Sequence, residues 1–310
     1  MKALPYLVFS FFLFSTALAS QALPPGESGA LDQLNKSPRH AEWVTVDAGG
    51  GDKVNLWVVY PERKEKAPVV LVVHEIFGLN DWARAVTDSL AAAGFIAVAP
   101  DFLSGMGPGG KGSSAMTVDQ ARSLNSNLKP DEVYRRLDAA SKYATALPSA
   151  KAAFGVIGFC WGGGISFGYA TRQPALKAAV VYYGTSPAKD ALATIKAPVL
   201  GLYGGDDVRV NATVGPTADA MKKLGKNFET ETFEGAGHAF LRQLDGQAGA
   251  NLKAAQAAWP RTLAFLKLHL EPGNASKAHP GAYNVDLFSA GLLRTVNVDS
   301  DDCPCDPQTP

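Results

Sequence analysis

The sequence predicts an α/β fold with a mostly parallel central sheet and helices on both faces. Apolar, β-branched runs recur without polar interruption, among them PVVLVVHE (68–75), FIAVAP (95–100), AFGVIGF (153–159), KAAVVYYG (177–184) and APVLGLYG (197–204). Such runs are expected of strands buried on both faces. Segments of helical spacing alternate with them, including DWARAVTDSLAAAG (81–94) and DEVYRRLDAASKYATAL (131–147). Strands alternating with helices imply parallel pairing through right-handed crossovers. With 310 residues, 46% of them apolar, the chain is long enough to form one such domain around a substantial core.

The elements follow in order. Residues 42–60 read as a hairpin, TVDAG and KVNLWVVY, turned at Gly49, Gly50 and Gly51. Gly94 stops the helix after PVVLVVHE, and a helix begins just after Cys160. Later come a helix near TADAMKKLG (217–225), a strand NFETETFE (227–234) and a last helix approaching His269. The stretch 103–116, rich in glycine and serine, is expected to be a mobile loop. Residues 272–310 mix proline, glycine and acids and are expected to pack loosely or be disordered.

At the N-terminus, Lys2 precedes an apolar stretch from Leu4 to Leu18 with small residues at Ala17 and Ala19. That is the layout of a secretory signal peptide over residues 1–19, and the stretch is short of the roughly 20 residues a membrane span needs. The mature chain is expected to be exported, periplasmic or secreted. It would have a lead-in at 20–41, a domain at 42–271 and no membrane attachment. Lysine plus arginine balance aspartate plus glutamate at 29 each, which gives no reason to expect nucleic acid or an anionic membrane as partner. A small neutral or singly charged substrate fits better, and a monomer is expected.

In Gly158-Phe159-Cys160-Trp161-Gly162 a strand ends, one residue turns sharply and a helix begins. This is the G-x-nucleophile-x-G elbow with cysteine at its centre. Its flanking glycines permit the close approach of strand and helix. The sulfur of Cys160 would project above the carboxyl ends of the strands, at a helix N-terminus that favours a thiolate and an oxyanion. The backbone N–H of Trp161, the residue after the nucleophile, is one expected oxyanion donor.

A nucleophile of this kind needs a base and an orienting acid, in the chain order nucleophile, acid, histidine. Gly204-Gly205-Asp206-Asp207 follows one strand and Gly235-Ala236-Gly237-His238 follows the next, both at the edge that carries Cys160. His238 is the expected base and Asp207 the favoured acid, with Asp206 as an N-cap or turn residue. His74, His269 and His279 compete weakly, since only His74 lies at a strand end and it precedes the nucleophile.

Five segments, HEIFGLN (74–80), APDF (99–102), GFCWGG (158–163), GGDD (204–207) and GHAFLR (237–242), together resemble the dienelactone hydrolase family, also called carboxymethylenebutenolidases. The resemblance spans about residues 42–270 and implies an α/β-hydrolase fold, a Cys160, His238, Asp207 triad and no cofactor or metal. It also implies that Glu75 contacts the resting cysteine, that Ile76 supplies the second oxyanion N–H, and that Arg242 binds a substrate carboxylate. A second family arginine is missing, because Gly105 occupies its position. An anionic Glu75 beside the sulfur would raise the thiol pKa and protect Cys160 from oxidation until substrate arrives.

The expected function is therefore hydrolysis of a small ester or lactone through a thioester. Two rivals are a catalytically silent protein on the same scaffold and a thiol redox protein using Cys303-Pro304-Cys305, although Cys160 has no resolving cysteine near it in sequence. The sequons at Asn211 and Asn274 are short enough to arise by chance, and GPGGKGS (107–113) lacks the strand and helix of a phosphate loop.

Overall fold

The computed structural model describes residues 22–271; the expected signal peptide, His279, the Asn274 sequon and the Cys303/Cys305 pair lie outside them. In chain order the regular elements are α1 (Ala30–Lys36), β1 (Ala41–Gly49), β2 (Asp52–Val59), β3 (Ala67–Val73), α2 (Asp81–Ala92), β4 (Ile96–Asp101), α3 (Val118–Asn127) and α4 (Pro130–Thr145). Then follow β5 (Ala150–Phe159), α5 (Trp161–Ala170), β6 (Ala178–Tyr182), β7 (Val199–Gly204), α6 (Val208–Lys223), β8 (Phe228–Phe233) and α7 (Ala250–Leu270). The eight strands form one sheet in the order β1-β2-β4-β3-β5-β6-β7-β8. Only the β1/β2 and β2/β4 pairs are antiparallel, so the sheet is mostly parallel, as an α/β-hydrolase fold requires.

The two faces separate by the period-2 alternation of strands. In β3, which is buried throughout, Val70 and Val72 join Trp82, Val86, Trp259 and Leu263 under α2 and α7. Val69, Leu71 and Val73 join Val133, Leu137, Phe167 and Met221 under α4, α5 and α6 on the other side. This explains why the central runs are unbroken apolar sequence. The edge strand β8, FETETF, has no fully buried residue, and its two end residues, Phe228 and Phe233, pack on the core from opposite faces.

Three local features depart from the sequence expectations. The helix expected near 217–225 starts at Val208, because Asp207 caps it, and it continues through Pro216. Helix α3 was not expected; a capping box made by Thr117 and Gln120 starts it. The expected loop at 103–116 is tied down at Ser113, whose N–H and Oγ both bond Asp101 and whose Oγ accepts the Leu79 N–H at 3.0 Å.

The lead-in is folded over its described length from residue 22. Arg39 makes a two-pronged bond to the buried Asp88 of α2, Nε to Oδ1 at 2.8 Å and Nη2 to Oδ2 at 2.6 Å. Trp82 Nε1 donates to the Pro25 carbonyl at 3.1 Å. These contacts hold α1 against α2, beside the loops that follow the strands.

Candidate active site

The strand-to-helix turn at Cys160 is built by glycines. A Cβ at Gly158 would lie 1.9 Å from the Gly162 carbonyl oxygen, and one at Gly162 would lie 2.4 Å from the carbonyls of Val73 and His74. Only hydrogen fits at either position, so β5 and α5 can approach closely enough to force the turn. Cys160 itself has φ 56° and ψ −116°, a conformation L-residues rarely hold, and serves as N-cap of α5. Its backbone is fixed by its N–H donating to the Tyr182 carbonyl at 3.0 Å.

Burial, and secondarily the negative charge of Glu75, push the Cys160 thiol up to about 11, while a bond from the Trp161 N–H and the charges of Arg209 and Arg242 pull the other way. At neutral pH this thiol is protonated. The positive helix end does not outweigh desolvation here. The Ile76 N–H, just beyond β3, has no protein acceptor among the described residues.

His238, in the loop after β8, meets Asp207 at the N-terminus of α6: Nδ1 donates to Oδ2 at 2.5 Å. The second oxygen of Asp207 accepts the Val210 N–H at 3.4 Å, so this carboxylate both orients the imidazole and caps the helix. The structure thus pairs His238 with Asp207 and leaves Asp206 exposed in the turn; the cap expected of Asp206 belongs to Asp207. With Nδ1 donating, Nε2 of His238 keeps a free lone pair.

Glu75 is 2% exposed and pairs with Arg242, whose Nε donates to Oε2 at 2.7 Å. Burial raises the Glu75 pKa, and the Arg242 charge opposes that rise. Its other oxygen, Oε1, has no hydrogen-bond partner in the described structure. Arg242 Nη1 also donates to Glu27, ahead of α1, and the guanidinium sits 5.0 Å above the Phe77 ring. A cavity of about 890 Å³ opens beside this group, lined by Glu27, Phe77, Trp82, Ser113, Met116 and Arg242; Cys160 and His238 are not in its wall.

His74 is buried, and its ring is engaged by backbone. Phe102 N–H donates to Nε2 at 3.4 Å, which leaves Nδ1 to donate to the Glu75 carbonyl at 2.7 Å. Stacked on Trp161 at 5.7 Å, it pins the turn carrying Glu75 against the elbow. His269 lies near the C-terminus of α7, away from this edge.

Two residues here were not singled out from sequence. Tyr183, at φ 39° just after β6, packs on the His238 ring at 5.2 Å and buries a hydroxyl with no partner. Burial, and secondarily the neighbouring Glu75 and Cys160, push its pKa well above the ordinary tyrosine value, and the Arg242 charge opposes them. Its place at the end of a central strand was the available signal. Glu27 had none, being an ordinary acid in a polar lead-in.

A sequence profile described as the dienelactone hydrolase family matches residues 55–270. The chain belongs to the dienelactone hydrolase family. A Methylorubrum extorquens AM1 protein named "Putative carboxymethylenebutenolidase" is 36% identical over 208 residues, covering 63% of this chain and 69% of that protein. One of the same name from Salmonella typhimurium LT2 is 30% identical over 258 residues, covering 77% of this chain and 94% of its own. A Klebsiella pneumoniae crystal structure, named "Putative Dienelactone Hydrolase", superposes with TM-score 0.64 at 29% identity, covering 73% of this chain and 98% of that one. The α/β-hydrolase fold and membership among these hydrolases follow from these likenesses. In this dienelactone hydrolase family member the matched region begins after β1, so Glu27 lies outside it.

Proposed function

We propose that this hydrolase cleaves a small ester or lactone with Cys160 as nucleophile, His238 as proton carrier and Asp207 as its orienting acid. The observation that carries the reading is the strained glycine-built elbow of Cys160, standing at the same sheet edge as the His238–Asp207 pair.

Sγ attacks the carbonyl carbon once its proton has left, which at a thiol pKa of about 11 requires help when substrate is bound. His238 Nε2, whose lone pair is free because Nδ1 is held by Asp207, takes that proton as Sγ attacks, while the negative charge of Glu75 keeps it on the resting thiol. The developing oxyanion is received by the N–H groups of Trp161 and Ile76. Collapse expels the alcohol, which takes its proton from His238 Nε2, and leaves a thioester on Cys160. Water, deprotonated by the same nitrogen, adds to the thioester; the acid departs and the thiol is restored. Asp207 keeps the proton on Nδ1 throughout.

The charge pattern of residues 1–19 supports an exported enzyme. In an oxidising compartment a resting thiol is less readily lost than a thiolate. The test is turnover of a panel of small esters and lactones by wild type and Cys160→Ala. Loss of all turnover in the variant, with the fold retained, is the expected result; equal rates would end the proposal.

A further inference from the structure

We propose that Glu27 sets the charge preference of the site: it occupies the Arg242 guanidinium with a carboxylate of the chain's own, so that the enzyme selects uncharged esters or lactones over carboxylate-bearing ones. The inference rests on the hydrolase reading above and specifies its substrate class.

Arg242 lines the cavity beside the site and its charge acts on Cys160, so it is the cation available there to an anionic substrate, and it is already doubly engaged. Nε is held by Glu75 and Nη1 by Glu27; among the described residues only Nη2 has no carboxylate partner. One guanidinium thus faces two carboxylates, and a third anion would enter a locally negative group. Arg84, the other cation lining the adjoining cavity, is paired with Asp81 and lies over Trp57. Gly105 has open space around it and offers no charge. Arg122, over the edge of the same cavity at Phe77, and Arg209, which acts on Cys160, are exposed, where water screens them.

Glu27 is held in place by more than its charge. Its backbone N–H donates to the Arg242 carbonyl at 2.9 Å. Gly26 packs so closely on the same loop that a Cβ there would stand 3.3 Å from Leu244 Cγ. With Pro25 bonded to Trp82 and Arg39 to Asp88, the whole segment is anchored on both sides. A tethered carboxylate is present at high effective concentration, so an incoming one at millimolar concentration competes poorly.

The test compares iodoacetate with iodoacetamide, alkylating agents that differ in carrying a carboxylate. Rates are read at the Cys160 peptide by mass spectrometry, on the full chain, in wild type, Glu27→Gln and Asp32→Asn. Asp32 is an exposed acid of α1 paired with Lys36, so its variant makes the same net-charge change without touching Arg242. Glu27→Gln is expected to raise the iodoacetate to iodoacetamide ratio about tenfold, the scale of one charge-assisted hydrogen bond regained, while Asp32→Asn leaves it unchanged. An unchanged ratio in Glu27→Gln, or an equal rise in Asp32→Asn, overturns the proposal. The same variants are then given paired esters with and without a free carboxylate, where Glu27→Gln should raise the acidic to neutral kcat/KM ratio. If no ester is turned over at all, the hydrolase reading fails, and the alkylation ratio still decides the role of Glu27.

Discussion

Arg242 and Glu75 form a buried ion pair joined by a 2.7 Å bond between Nε and Oε2, with both side chains under 10% exposed. Removing one partner of such a pair leaves the other charge uncompensated, at a cost of about 3–5 kcal/mol. Arg242→Ala is therefore expected to lose stability on that scale in denaturant unfolding. Burial already raises the Glu75 pKa above its ordinary 4.5, and without Arg242 it rises further. A carboxyl whose folded pKa is raised favours the folded state most when protonated. Stability of Arg242→Ala should therefore decline as pH climbs above about 4.5 and through the raised folded value. Adding Glu75→Gln to the variant should abolish that decline.

The Cys160 thiol, raised to about 11 mainly by burial and secondarily by Glu75, should react slowly with iodoacetamide at neutral pH. Its rate should rise tenfold per pH unit towards a midpoint near 11. Glu75→Gln removes only the second cause. The midpoint is then expected to fall, but to stay above the ordinary 9.0, with faster alkylation and greater peroxide sensitivity at pH 8. A midpoint unmoved by the substitution would remove Glu75 from the protection of the thiol.

Asp207 has two duties that substitution can separate. Asparagine caps helices as well as aspartate does, so Asp207→Asn should keep the Val210 contact and the stability of α6. It replaces the negative acceptor of His238 Nδ1, and kcat is expected to fall by about 10³–10⁴. Asp207→Ala should lose activity similarly and about 1 kcal/mol of stability in addition. Steady-state kinetics beside thermal unfolding distinguish the two effects.

What the sequence revealed follows the range of the interactions. The elbow was legible because its logic is local: Gly158, Cys160 and Gly162 stand within five residues, and each glycine answers to a backbone atom nearby or on the adjoining strand. The central strands were legible because burial on both faces leaves unbroken apolar runs. Helix α3 had a readable signal in Thr117 and Gln120, but its polar surface and the glycine-rich stretch before it obscured the helical period. Asp207 could be favoured over Asp206 but not separated from it, since only the geometry of the turn aims one carboxylate at the imidazole. Glu27 meets Arg242 across 215 positions of chain, and no local pattern encodes such a contact.

In the proposed reaction Cys160 carries the acyl group. The most direct test of that role is mass spectrometry of the enzyme quenched during turnover of an activated ester. Enzyme quenched in this way should carry one added acyl group on the Cys160 peptide, formed in the burst phase and released by hydroxylamine as a thioester is. An acyl group on another residue, or burst kinetics that persist in Cys160→Ala, would contradict that role.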